Sequence, residues 1–113
     1  MKKAFLIHPV RGHKPGEFEH YVKRLENEGW QVYDPAKHTP QDESSISICS
    51  HNRAGIEAAD CVFIIWDGKS TGSLFDLGMV FALKKNLIVL KTPKPTDHKS
   101  FQNLMYEMED NNE

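Results

Sequence analysis

Four short apolar runs divide the chain, and between them the apolar residues fall at helical spacing. Residues 3–8 (KAFLIH) are compact and continuous, the pattern of a buried strand. Pro9 and Gly12 break that run, and Pro15-Gly16 opens a helix, since proline is tolerated in a first turn. From Glu17 to Glu28, Phe18, Tyr21, Val22 and Leu25 recur at i, i+3, i+4 and i+7, which predicts an amphipathic helix closed by Gly29. Trp30-Gln31-Val32-Tyr33 alternates as a second strand, ended by Asp34-Pro35. Residues 36–42 read as polar loop. A second helix is expected from about Glu43 to Ala58, with Ile46, Cys49, Arg53 and Ile56 on one stripe. Cys61 to Trp66 is the strongest strand: β-branched, aromatic and unbroken, as in the middle of a parallel sheet. A third helix is predicted from Ser73 to about Lys85, closed by Asn86. Leu87 to Leu90 is the fourth strand, followed by a Pro-rich loop and a last helix near 99–109. Residues 110–113 are expected to fray.

The order βαβαβαβα predicts a single-domain α/β fold over residues 1–109, its parallel strands joined by right-handed crossovers. With the first strand central, the sheet order is 2-1-3-4 with helices on both faces, a flavodoxin- or Rossmann-like arrangement. The topological switch point then lies between strands one and three, and a ligand crevice opens at their carboxyl ends. Two loops, 9–16 and 67–73, meet there.

Composition narrows the classes. A chain of 113 residues, 39% apolar and 27% charged, reads as one ordinary globular domain. A net charge of −2 argues against a general nucleic-acid binder. No apolar run approaches the roughly 20 residues of a membrane span. The basic-then-apolar start resembles a signal peptide, but its apolar stretch is about four residues against the ~7–15 of a signal core. It reads as a strand, and the cytoplasm is the expected compartment. Cys49 and Cys61 form no CxxC pair and read as free thiols. The six histidines show no HxH or HxxxH spacing, so no metal site is expected.

The two loops carry the candidate chemistry. The first reads His8-Pro9-Val10-Arg11-Gly12-His13-Lys14; an arginine fork beside a glycine at a strand end suits a phosphate, although the same residues would also make a solvated basic turn. The second reads Asp67-Gly68-Lys69-Ser70-Thr71-Gly72-Ser73, hydroxyls and glycines ahead of a helix N-terminus, where free N–H groups favour anions. The GxxxxGK[ST] pattern is absent, so ATPase chemistry is unsupported. Asp76 stands three residues after Ser73. It is either half of a capping pair or a carboxylate facing the crevice, able to attack an electrophilic sugar carbon. Trp66 either stacks on a base or packs at the sheet edge, Trp30 belongs to the core, Asp60 fixes the turn into strand three, and His51 lies on the surface.

In order and spacing these residues resemble the nucleoside 2-deoxyribosyltransferase and 2′-deoxynucleoside 5′-monophosphate N-hydrolase family. Asp67-Gly68 followed by Gly72-Ser73-Leu74-Phe75-Asp76-Leu77-Gly78-Met79-Val80-Phe81-Ala82 is similar to its strand-ending DG and GTxxE-x-G-x-A segment. Asn52 to Asp60 is similar to its D-x-x-x-I-x-x-x-D segment, and Val10-Arg11-Gly12 to the loop that holds the 5′-phosphate. The resemblance implies cleavage of a base–sugar bond through a covalent glycosyl-enzyme, without metal or cofactor, in a homodimer or larger assembly. It implies catalytic roles for Asp76 and Asn52. Phe5, His8, Arg11, Gly12, Asp67, Ser70, Gly72 and Ser73 would bind the substrate. Three positions depart from the family: Asp76 stands for a glutamate, Asn52 for an aspartate, and Phe5 for a tyrosine. Without that hydroxyl, ribonucleotides are expected to be accepted at least as well as deoxyribonucleotides.

The leading expectation is therefore an N-glycosidase or (deoxy)ribosyltransferase acting on nucleosides or their 5′-monophosphates. The alternative is a non-catalytic nucleotide-binding module, a sensor or sequestering protein, using the same crevice. A TIR-like processor of dinucleotides is a third, disfavoured by the short chain and the DG…GSxxD arrangement. Partners are expected to be small nucleosides or nucleotides, with neither nucleic acid nor membrane.

Overall fold

The four apolar runs form one parallel sheet in the computed structural model, which describes Met1–Glu113. The strands are β1 (Lys2–Ile7), β2 (Trp30–Tyr33), β3 (Cys61–Ile65) and β4 (Leu87–Lys91), ordered β2-β1-β3-β4 as expected. β1 is central because its register is shared: Phe5 lies beside Tyr33 on one side and Val62 on the other. All three pairings are parallel.

Five helices connect and flank the strands: α1 (Glu19–Asn27), α2 (Pro35–His38), α3 (Ser45–Ala58), α4 (Thr71–Ala82) and α5 (Phe101–Asp110). α1 ends where Gly29 takes φ +96°, a left-handed geometry that glycine adopts without cost. α2 begins at Pro35 and its other three residues fall inside the segment expected as loop, with Asp34 capping it by accepting from the Ala36 N–H. α3 is capped by Ser44. Its expected stripe is wrong at two positions, Ile46 and Arg53, which face solvent; the inward face carries Asn52 and Ile56. α4 starts two residues before the expected Ser73 because Ser70 is its N-cap, and it ends at Ala82 rather than near Lys85. Lys84, not Asn86, takes the left-handed turn behind it, at φ +55°. Asn86 instead exchanges two hydrogen bonds with Glu113. Asn112 does the same with Leu87, so the segment expected to fray is tied to the start of β4.

Alternation along the strands separates two apolar layers. Ala4, Leu6, Val32, Cys61, Phe63 and Ile65 face α1 through Val22 and Leu25. Phe5, Ile7, Val62 and Ile64 face the other helices through Ile56, Leu77, Val80 and Met105. Trp30 flanks the first layer, edge-on to Phe63. Both cysteines are free thiols, and burial pushes Cys61 up to about 11. On the second layer Gly55 lets α3 approach the sheet closely. A Cβ there would stand 3.0 Å from the Phe5 ring and 3.3 Å from Tyr33. This approach brings Asn52, one turn before Gly55, over the carboxyl edge of the sheet.

Candidate active site

The first loop is anchored by two histidines: His8, expected to bind the substrate, and His13, which the sequence showed only as a basic residue. His8 stands at the end of β1 with Nδ1 2.9 Å from the Pro9 carbonyl and Nε2 2.7 Å from Asp34 Oδ1. Both partners are acceptors, so the arrangement favours the doubly protonated ring. Burial works against the charge, but the bonds to Asp34 and Pro9 outweigh it and raise the pKa. His13 likewise lies between two acceptors, Glu17 at 2.8 Å and Asp67 at 3.0 Å, which raise its pKa. The His13–Asp67 bond joins the first loop to the second, and so the two loops meet at the switch point. Between them in sequence, Arg11 is exposed and makes no hydrogen bond or ion pair, and Gly12 takes φ +82°. Asp60 fixes the other end of β1: its carboxylate accepts from the Lys3 N–H, and its own N–H donates to the Lys3 carbonyl.

The second loop is ordered by Asp67. Its Oδ1 accepts from the Lys69 and Ser70 N–H groups, both at 2.8 Å. Burial alone would raise this carboxyl, but the Ser70 N–H, His13 and the Lys69 N–H bring it down to about 2. Ser70 accepts from the Ser73 N–H, and the two hydroxyls lie 2.9 Å apart. The N–H groups of Thr71 and Gly72 remain as first-turn donors, since no backbone acceptor precedes them in the helix. Trp66 is buried at the sheet edge, its indole N–H donating to the Ser70 carbonyl and its ring edge-on to Phe101. Its place is structural.

The proposed Ser73–Asp76 capping pair does not form, because Ser70 is the cap and Asp76 lies in the second turn. Asp76 is instead half-buried against Asn52 of α3. Burial pushes its carboxyl up, the hydrogen bond from Asn52 pulls it down, and it settles at about 6. Asn52 is itself buried, and its Oδ1 accepts from the Thr39 hydroxyl at 2.6 Å. Thr39 in turn lies 2.7 Å from the Tyr33 hydroxyl. Phe5 has no exposed surface; its ring is stacked on Tyr33 with centroids 5.3 Å apart. Phe5, expected as a substrate-binding residue, therefore offers a ligand no surface of its own. His51 is on the surface, as expected, beside Glu43.

A cavity of about 390 Å³ opens under the first loop, lined among others by His8, His13, Asp34 and Lys37. A second, of about 270 Å³, touches Tyr33, His38 and Gly55. No three His, Cys, Asp or Glu side chains converge as a metal ion requires. No helix is long and apolar enough to cross a membrane. His13, Asp34, Tyr33 and Thr39 were not singled out from sequence. Only the topology could have suggested Asp34, since it places the end of β2 beside the end of β1.

Solved structures share this fold. A 2-deoxyribosyltransferase from Bacillus psychrosaccharolyticus superimposes with a TM-score of 0.69 at 16% identity, over 91% of this chain and 90% of that one. The CMP N-glycosidase of Clostridium botulinum gives 0.68 at 18%, over 95% and 82%. A 2-deoxyribosyltransferase from Leishmania mexicana gives 0.61 at 20%, over 82% of this chain and 66% of its own. A search of curated protein sequences found no match. The model of the nucleoside 2-deoxyribosyltransferase family matches residues 10–105, most of the 113-residue chain, and the protein belongs to that family.

Proposed function

We propose that this protein cleaves the base–sugar bond of a nucleoside or nucleoside 5′-monophosphate, with Asp76 as the nucleophile. One observation carries the reading: the half-buried carboxylate of Asp76, pushed up by burial, stands in the second turn of α4, directly behind the loop that Asp67 orders. An Asp76 oxygen attacks C1′ and the C1′–N bond breaks. Its electron pair leaves with the base, which takes up a proton from solvent. Water, or a second base, then attacks C1′, gives up a proton to solvent and releases Asp76 as the carboxylate. A carboxyl at about 6 is mostly ionised at neutral pH and more basic than an ordinary aspartate, which suits the attack on C1′. Asn52 holds the carboxylate in position. Arg11 and Gly12, with the free first-turn N–H groups of α4, receive the phosphate.

Nucleosides and monophosphates incubated with the protein should yield free base, at a rate that rises with pH through about 6 as Asp76 ionises. Binding of a monophosphate with no base released or exchanged from any of them would leave a binding module and overturn the catalytic reading. The reading also carries a homodimer or larger assembly. In support, Phe75 and Phe81 of α4 stand 58% and 63% exposed, an unfavourable place for two aromatic rings in a monomer. Sedimentation should give at least twice the 12.9 kDa chain mass at micromolar concentration; a strictly monomeric mass would remove this part.

A further inference from the structure

Both ring nitrogens of His13 face carboxylates. Nδ1 lies 2.8 Å from Glu17 Oε2, and Nε2 lies 3.0 Å from Asp67 Oδ2. An ionised carboxylate can only accept, so each contact needs an N–H, and only the imidazolium carries two. A neutral ring keeps one donor and turns a lone pair on the other carboxylate. The His13 proton therefore decides whether one contact stands or two.

The two partners are unequal. Glu17 is four residues away, where the first loop runs into α1, and it stays near His13 whatever the second loop does. Asp67 is 54 positions away, and its bond to His13 is the only hydrogen bond between loops 9–16 and 67–73. Its other oxygen accepts from the Lys69 and Ser70 N–H groups, so the orientation of Asp67 is passed to the whole second loop. A neutral ring keeps the local bond to Glu17, which needs no second segment held in place, and Asp67 turns to water. The His13 and Asp67 side chains are 22% and 26% exposed, open enough to exchange protons with solvent.

The surrounding charges set the direction of the switch. Glu17 and Asp67 favour the charged ring. His8, at the end of β1, opposes it by like charge, and Asp34 at the end of β2 pairs with His8. Lys14 helps to keep Glu17 ionised. Arg11 and Lys69, the other cations of the two loops, form no ion pair with either carboxylate. Phe18 packs on the ring with centroids 5.3 Å apart and brings no charge. The balance raises the His13 pKa above the ordinary 6.5, lowers that of Glu17, and leaves Asp67 at about 2. The paired state is thus at full strength below pH 6.5 once Glu17 is ionised, and it is lost as pH rises through the His13 value.

We propose that His13 is a positioning residue: its doubly protonated ring clasps Asp67 to Glu17 and fixes the two site loops against each other, and loss of one proton lets the second loop go. The clasp stands on these contacts alone. Its effect on a ligand rests on the phosphate-receiving role proposed above for Arg11 and the α4 N-terminus. A neutral His13 loosens one of those parts from the other and leaves two uncompensated carboxylates beside the phosphate.

Two measurements on wild type, Asp67→Asn and His13→Gln test it. In an NMR titration of the wild type, the Lys69 and Ser70 amide resonances should shift with the same midpoint as the His13 ring. Asp67→Asn keeps an oxygen for those N–H groups but sets no charge opposite the ring, so the His13 midpoint should move down towards 6.5. His13→Gln should abolish the amide inflection. Calorimetric titration with a nucleoside 5′-monophosphate, at pH 6 and pH 9, then compares wild type with His13→Gln. The phosphate of the ligand titrates alike in both, so the ratio of affinities isolates His13. Wild type should bind about two- to fivefold more tightly at pH 6, the size of one exposed charge interaction, and about equally at pH 9. Amides that ignore the His13 titration, or a His13 midpoint unmoved in Asp67→Asn, overturn the clasp whether or not the ligand binds. An affinity ratio that does not change with pH overturns the positioning role. Coupled titrations in a protein that binds no monophosphate keep the clasp and remove the phosphate reading.

Discussion

Replacing Asp76 by asparagine should abolish base release and, at neutral pH, make the protein more stable. Loss of an attacking carboxylate removes the covalent route, and turnover should fall by at least about 10³-fold. The stability gain follows from the sign of the shift. Asp76 titrates at about 6 in the fold against 3.8 for an ordinary aspartate, so the native state holds its proton more tightly than the unfolded chain. Stability therefore declines as pH rises from 3.8 through about 6, and above that the full penalty is present. Two units correspond to roughly 3 kcal/mol as an upper bound; solvent at the half-buried site screens this to about 1–2 kcal/mol. Asparagine keeps an acceptor for Asn52 and has no charge to desolvate. Denaturant unfolding at pH 7.5 should show the gain, and at pH 3, below the unfolded-state value, it should have vanished. A loss of about 0.5–2 kcal/mol at both pH values would be the signature of a helix cap instead. Retained turnover would dismiss Asp76 as nucleophile.

Replacing Arg11 by alanine should weaken binding of a nucleoside 5′-monophosphate by about 1.5–3 kcal/mol and leave the nucleoside nearly unaffected. The side chain is exposed and unpaired within the chain, so its removal breaks no internal bond. Gly12 keeps its left-handed geometry in the mutant, and the His13–Asp67 bond still joins the loops. Calorimetric titration of both ligands into wild type and mutant separates the two terms. Equal losses for both would show that Arg11 shapes the loop rather than receiving phosphate. High salt should narrow the difference, because the lost interaction is ionic and near solvent.

These two predictions depend differently on tertiary structure. Arg11 was legible in the sequence as a free cation at a strand end, and its exposure in the fold leaves that reading as it was. Asp76 was legible as a carboxylate near the switch point, but its setting was not. The helix expected from Ser73 placed it in the first turn under either reading, where the helix dipole would favour its charge. With Ser70 as the cap it sits a turn deeper, where burial dominates and the pKa rises.

The strands and their parallel order were written in the sequence because each depends on local or topological rules. A strand buried on both faces must be a continuous apolar run, and right-handed crossovers leave few sheet orders open. Boundaries were less legible. Ser70 and Ser73 are both good caps, and neighbouring backbone geometry decides between them. The fold alone decided how the polar side chains pair. His8 finds Asp34 across 26 positions, His13 finds Asp67 across 54, and Thr39 finds Asn52 across 13. Periodicity reports which face a residue occupies, and it is silent about which group from another element arrives opposite. A buried donor must meet an acceptor wherever the packed elements bring one, so the Tyr33–Thr39–Asn52 chain exists only once β2, the end of α2 and α3 have come together.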